Sequence, residues 1–246
     1  MRRYDFTASR LYVETDLATG ALVTCRPDQV NYLRNVLRLD AGDRILIFNG
    51  RDGEWQASIG EARKGAMTLH AEAQVRPQQG APDIDYLFAP LKRARLDYMV
   101  QKATEMGVAR LRPVFTRRTT PERINSARMR ANVIEAAEQC GILRIPEVFE
   151  PQTLGAALAH WKPERHLVFC DEDSEAADPL AALRSLAPGP IALLIGPEGG
   201  FDAGERELIT SQPFALSISL GPRILRADTA AVAALALVNA TLGDWR

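Results

Sequence analysis

Apolar and polar positions change rhythm once along the chain, near residue 76. Before that point, short apolar runs alternate with turn residues, and 10–13, 21–23, 44–48, 54–59 and 66–73 predict strands. Asn49, Gly50, Arg51, Asp52 and Gly53 predict the turn of a hairpin, and 27–36 predicts a helix with Pro27 in its first turn. Closely spaced strands of this kind predict a small β-barrel or sandwich. Residues 76–83, RPQQGAPD, read as a linker.

Beyond the linker, strands and helices alternate. Strands are predicted at 86–89, 111–115 and 166–170. Helices are predicted at 93–106, closed by Gly107, and at 125–139, 153–161 and 179–186. Two further strand–loop–helix units follow. In the first, the apolar run from Ile191 breaks at Gly196-Pro197-Glu198-Gly199-Gly200, and Asp202 is the expected N-cap of a helix. In the second, the run from Leu216 breaks at Gly221-Pro222, and Asp228 is the expected N-cap. The alternation predicts an α/β domain with a mostly parallel sheet over 84–246. Ligands of such sheets bind beyond the carboxyl ends of the strands, so the two loops are expected to form one site.

The final helix, 228–242, is apolar on nearly every face. It must be buried on more than one side, either against a second copy of the chain or deep within its own domain. A homodimer is the expectation.

Composition adds little until it is read by position. An apolar content of 46% with 25% charged residues is that of an ordinary globular protein. The three cysteines are scattered and the three histidines lack metal-ligand spacing, so no metal site and a reducing, cytoplasmic setting are expected. No secretory or transmembrane run is evident. The formal net charge of −1 conceals a strong segregation. From 92 to 130 there are eleven Lys/Arg against three acids, and from 171 to 210 nine acids against two arginines. The basic run offers a face to a polyanion, or else is a solvated surface balanced by the acidic one. Arg34, Arg38, Arg44 and Arg51 make the first domain a candidate RNA-reading module in the same sense, or carry solvated edge charges.

Segment 196–200 is neither a dinucleotide fingerprint nor a phosphate-binding P-loop, and Glu198 would repel phosphate. Glycines admit a flat group close to the backbone, while a carboxylate favours a cationic or hydroxyl-bearing one. A sulfonium nucleoside meets both conditions. In the second loop, Arg223, Ile224, Leu225 and Arg226 alternate guanidinium and apolar groups. They can wall a base and fork onto a carbonyl oxygen or phosphate, unless one arginine simply binds an acid such as Glu198 or Glu138. No nucleophile–histidine pair or close acid pair competes, so positioning and electrostatics are the chemistry expected here.

Six stretches carry a resemblance along the chain: LRNVLRL at 33–39 with Gly42-Asp43, QKATEMGV at 101–108, EAAEQ at 135–139, Ile145-Pro146, IGPEGGF at 195–201 and LGPRILRADTA at 220–230. In these the sequence closely resembles the ribosomal RNA small subunit methyltransferase E family of the SPOUT class, which methylates N3 of a uridine in 16S rRNA. Met106, Asp228, Ile142 and Tyr32 depart from the family's usual residues.

The resemblance implies a PUA-like β-barrel at 1–75 and a SPOUT domain at 84–246 with a C-terminal deep trefoil knot. It also implies a homodimer and S-adenosylmethionine bound at the two loops. Carried onto this chain, the cofactor residues are Ile195, Gly196, Glu198, Gly199 and Gly200 of the first loop. Those of the second are Leu220, Gly221, Ile224, Leu225 and Thr229. Arg226 is expected to orient the uracil and stabilise charge on its carbonyl oxygens. RNA phosphates are assigned to Arg34 and Arg38 of the barrel, and to Lys92, Arg93, Arg95, Arg117, Arg118 and Arg123. The base that removes the N3 proton is not identified. Two other readings are a SPOUT enzyme acting elsewhere on RNA, such as a ribose 2′-hydroxyl, and an RNA-binding protein without catalysis.

Overall fold

The computed structural model describes residues 8–60, 66–119, 124–174 and 178–245. The chain forms two compact units, one of Met1–Gly80 with Ala137–Ile145, the other of Ala81–Ala136 with Pro146–Arg246.

The first unit is a five-stranded sheet of β1 (Arg10–Tyr12), β2 (Leu22–Thr24), β3 (Arg44–Phe48), β4 (Glu54–Ile59) and β5 (Thr68–Arg76) in the order β1-β3-β4-β5-β2. Only the β1–β3 pairing is parallel. Alternation along β3 and β4 sends Ile45, Ile47, Trp55, Ala57 and Ile59 into one apolar cluster with Leu33 and Leu69. The β3–β4 turn is set by Asn49, whose side-chain oxygen accepts from the amides of Arg51 and Asp52 at 3.0 and 2.9 Å.

The expected helix 27–36 begins as α1 (Pro27–Asn31) and continues as a π-helical turn over Tyr32–Val36. There the amide of Leu37 donates to the carbonyl of Tyr32, and Leu33 within the turn is fully buried. Arg38 follows with φ of 56°. β5 runs to Arg76, so the predicted linker begins inside a strand. The ion pair of Arg76 with Glu54 at 2.8 Å accounts for that extension.

Segment Ala137–Ile145, expected as part of the second domain, belongs to the first unit. Arg10 donates to the carbonyl oxygens of Ala137, Glu138 and Ile142, and Arg76 to that of Gly141.

The second unit carries β6 (Ile84–Phe88), α2 (Arg93–Glu105), β7 (Arg110–Phe115), α3 (Ser126–Gln139, its last residues in the first unit), β8 (Glu147–Val148), β9 (Gln152–Thr153) and α4 (Leu154–Ala159). These are followed by β10 (His166–Cys170), α5 (Pro179–Arg184), β11 (Ile191–Ile195), α6 (Ala203–Thr210), β12 (Ala215–Ile218) and α7 (Ala227–Thr241). The sheet order is β12-β10-β11-β6-β7-β8, with β9 also paired to β7, and every pairing is parallel. β11 and β6 are buried at all five positions, as strands covered on both faces must be. Asp85, the one charge in β6, meets Arg110, Arg112 and Arg165. Burial nevertheless raises its carboxyl pKa against their pull.

α7 packs on α2, α5 and β11. Leu235 and Val238 are fully buried by these contacts, so the deep intrachain position accounts for much of the apolar circumference that suggested a second copy. Asn239, also fully buried, donates to the carbonyl of Met106 at 2.8 Å and ties α7 to the end of α2.

Candidate methyltransferase site

β10 lies between β11 and β12, so the loops after β11 and β12 flank the carboxyl end of β10 instead of touching side by side. The three strand ends open on a cavity of about 750 Å³. Ile195, Gly196 and Glu198 line it from the first loop, and Leu220, Gly221, Ile224 and Leu225 from the second. Behind the loops, Ala230, Ala233 and Leu237 of α7 form an apolar wall.

The segment after β10, which sequence reasoning missed, supplies Asp171, Glu172 and Asp173. The acidic run from 171 was the available signal, but nothing local said that its strand is inserted between the other two.

Sterics explain one glycine of the first loop. A Cβ on Gly196 would stand 2.5 Å from the Phe201 ring, so the chain passes that ring only without a side chain. Phe201 in turn packs edge-on against Phe169 of β10, with centroids 5.1 Å apart. At Gly200 the requirement is conformational: φ is +69°, while a Cβ would meet only the movable carboxylate end of Glu172. The loop then enters α6 through a capping box. Asp202 accepts from the amide of Glu205 at 2.7 Å, and Glu205 accepts in return from that of Asp202. Chiefly through the Glu205 amide, and then through Arg117, the Asp202 carboxyl is held below its ordinary pKa.

Arg206 closes one side of the cavity, 2.9 Å from the buried Asp171. Cys170 also lines it, but burial raises its thiol pKa steeply.

The remaining expected residues fall around the cavity. Gly199, Gly200 and Thr229 are not part of its lining. Arg226 is exposed and is the N-cap of α7, between the lining residues Leu225 and Ala227. The expected N-cap, Asp228, lies instead in the first turn, where a carboxylate suits the helix dipole. Ile224 is 87% exposed, so its side chain forms a rim.

Of the basic residues, Arg34, Arg38, Lys92, Arg93, Arg117 and Arg118 are exposed, and Arg95 is half-buried. Arg95 pairs with Glu198, Arg118 donates to the Gly199 carbonyl, and Arg117 pairs with Asp202. Of the two acids expected for Arg223 or Arg226, Glu198 is thus paired with Arg95. Glu138 instead accepts from the Tyr12 amide at 2.8 Å. Arg123 lies outside the described residues. Among the described residues no cluster of His, Cys, Asp or Glu could hold a metal, and no helix is long and apolar enough to cross a membrane.

A largely apolar cavity at the carboxyl ends of a parallel sheet, rimmed by acids, suits a cationic nucleoside. The RNA methyltransferase domain family matches residues 79–239, and the RNA methyltransferase PUA domain family matches 26–71.

The chain is 32% identical to ribosomal RNA small subunit methyltransferase E of Rickettsia conorii, covering 94% of this chain and 95% of that one. It is 33% identical to the Synechocystis protein of the same name, over 96% of this chain and 78% of that one. Among solved structures, it superposes with a TM-score of 0.85 on a Neisseria gonorrhoeae ribosomal RNA small subunit methyltransferase E bound to S-adenosyl methionine. Identity there is 25%, covering 97% of this chain and all of that one. A Legionella pneumophila putative methyltransferase in complex with the same cofactor is 30% identical, with a TM-score of 0.84, covering 96% and 99%. The chain belongs to the ribosomal RNA small subunit methyltransferase E family, an RNA methyltransferase of SPOUT fold behind a PUA domain.

Proposed function

We infer that the protein transfers a methyl group from S-adenosylmethionine to N3 of a uridine in 16S rRNA. The observation that carries this reading is the cavity where the loops after β10, β11 and β12 converge. Its features match the cofactor part by part. Leu220, Leu225 and Ala230 offer an apolar wall for the adenine. The side-chain-free backbone at Gly196 admits a flat group, and Glu172, Asp173 and Glu198 offer negative charge to a sulfonium and an ammonium.

When bound, S-adenosylmethionine supplies an electrophilic methyl carbon. The protein's part is to place the uracil edge against it and to stabilise the charge left when N3 loses its proton. Arg226, at the cavity's edge and the head of α7, is the residue we assign to the uracil carbonyl oxygens. RNA phosphates are held by Lys92 and Arg93 of the second unit and by Arg34 and Arg38 of the first, with Arg123 as a further candidate.

The acting form is taken to be a cytoplasmic homodimer working on rRNA or the small subunit, with the C-terminal segment threaded as a trefoil knot. Val232, Ala236 and Leu237, partly exposed on α7, and the protruding Ile224 support the dimer. Sedimentation equilibrium tests it.

The function itself is tested by mass spectrometry of 16S rRNA nucleosides from a strain lacking the protein. Loss of one 3-methyluridine, restored by the wild-type gene and not by Arg226→Ala, is expected. Unchanged 3-methyluridine with loss of a ribose-methylated nucleoside would replace this reading by a 2′-hydroxyl acceptor.

A further inference from the structure

Sheet order places the first glycine loop between two unlike surroundings. On one side are the ends of β10 and β12 and the cavity. On the other are the segments that follow β6 and β7, which carry Arg95, Arg117 and Arg118. The loop is thus a thin wall with a cavity on one face and guanidinium groups on the other.

It has little to hold itself in shape. Within 196–202, one backbone hydrogen bond is recorded, from the Gly200 amide to the Pro197 carbonyl at 2.9 Å. Three glycines in this stretch would otherwise leave much conformational freedom to be lost on binding.

The anchors come from outside. Arg95, in the first turn of α2, pairs with Glu198. Arg118 donates from Nη1 to the carbonyl oxygen of Gly199 at 2.7 Å. Arg117 acts twice: its amide donates to Glu205 Oε1 at 2.8 Å, and its Nη1 donates to Asp202 Oδ2 at 2.8 Å. Residues 198, 199, 202 and 205 are therefore each held by a basic residue, in order along the loop and into α6.

One of these side-chain contacts, that of Arg118, falls on a main-chain carbonyl, which a merely solvated basic face would not select. A charge-assisted donor aimed at the Gly199 carbonyl fixes one peptide plane of the wall, and the Arg117 amide fixes the helix that ends it.

We propose that Arg95, Arg117 and Arg118 are positioning residues that clamp the 196–205 segment in its cofactor-accepting shape, acting on the cofactor through the loop instead of serving only as phosphate contacts. The proposal rests on the cofactor reading of the cavity.

The test is calorimetric titration of the full chain with S-adenosylhomocysteine, which binds without turnover. RNA binding at several salt concentrations and thermal melting are measured on the same preparations. Binding by the wild type comes first: no heat at all would overturn the cofactor reading itself. Given that binding, Arg118→Gln and Arg95→Gln should each weaken S-adenosylhomocysteine about tenfold with an unchanged melting temperature. Arg118→Lys, which keeps a donor for the Gly199 carbonyl, should recover part of the loss. Arg95→Gln combined with Glu198→Gln should fall no further than the weaker single variant, because both remove the same contact. Folded variants with wild-type S-adenosylhomocysteine affinity and a reduced RNA salt slope would overturn the clamp and return the three arginines to phosphate binding alone.

Discussion

Arg10 lies 2.6 Å from Glu54, and both side chains are almost wholly removed from solvent. The same carboxylate holds Arg76 at 2.8 Å, and the two guanidinium groups cap the carbonyl oxygens of 137, 138, 141 and 142. One acid therefore aligns the donors that fasten segment 137–145 within the first unit. Glu54→Gln removes the carboxylate from beside the buried Arg10 and should cost about 3 kcal/mol of stability. Urea unfolding measures it, and a loss below about 1 kcal/mol would show that the arginines are held by the carbonyl oxygens alone.

Arg38 occupies the left-handed region at φ 56°, directly after the π-helical turn, with its side chain exposed. A non-glycine residue there costs on the order of 1 kcal/mol. Arg38→Gly should therefore stabilise the protein while weakening RNA binding, with the salt slope reduced by roughly 0.7 to 0.9 for a lost phosphate contact. Thermal melting and RNA titration on one preparation read both effects. Stabilisation with unaltered RNA affinity would make Arg38 a bystander.

The glycines of the first loop are not equivalent. Gly196→Val forces a side chain against the Phe201 ring at the cavity wall, and S-adenosylhomocysteine affinity should fall at least about tenfold. Gly199→Ala adds a methyl that meets only Arg118 carbons at 3.6 Å and should bind nearly as wild type. Equal losses at both positions would mean that the loop rearranges on binding.

Asp97 is held below the ordinary carboxyl pKa first by Arg128, 2.6 Å away, and then by Asn132. A depressed folded value contributes stability that is fully present above the unfolded value near about 4, and it is lost as pH falls through the folded value. Asp97→Asn should lower the melting temperature at pH 7, and the difference from wild type should close towards about pH 2. A difference that persists undiminished in acid would point to packing of the side chain and not to its charge.

The elements were legible wherever the cause is local. The uninterrupted IALLI of β11 declares a strand covered on both faces, and Asp202 with Glu205 three residues on declares the start of α6. Both loops that line the cavity announce themselves by glycine and proline, and with the 33–39, 101–108 and 135–139 stretches they carry the family. Local pattern misled where propensity met packing. The 27–36 helix continues as a π-turn that carries the buried Leu33, and α7 starts one residue before the aspartate expected to cap it.

What the sequence showed by itself was therefore most of the strands and helices, though not the short β8 and β9, and the two glycine-containing loops that line the cavity. Only tertiary structure decided which distant groups meet. The insertion of β10 between β11 and β12 brings Glu172 to the cavity, and a parallel sheet's order depends on how whole strand–helix units pack, which no window of sequence contains. Arg95 and Glu198 are 103 positions apart, and Arg118 and Gly199 are 81 apart. Read along the chain, those arginines are simply part of a basic run. Their charges are spent on the first glycine loop because the sheet lays β6 beside β11 and β7 next to β6, and an ion pair carries no periodicity that would announce it beforehand.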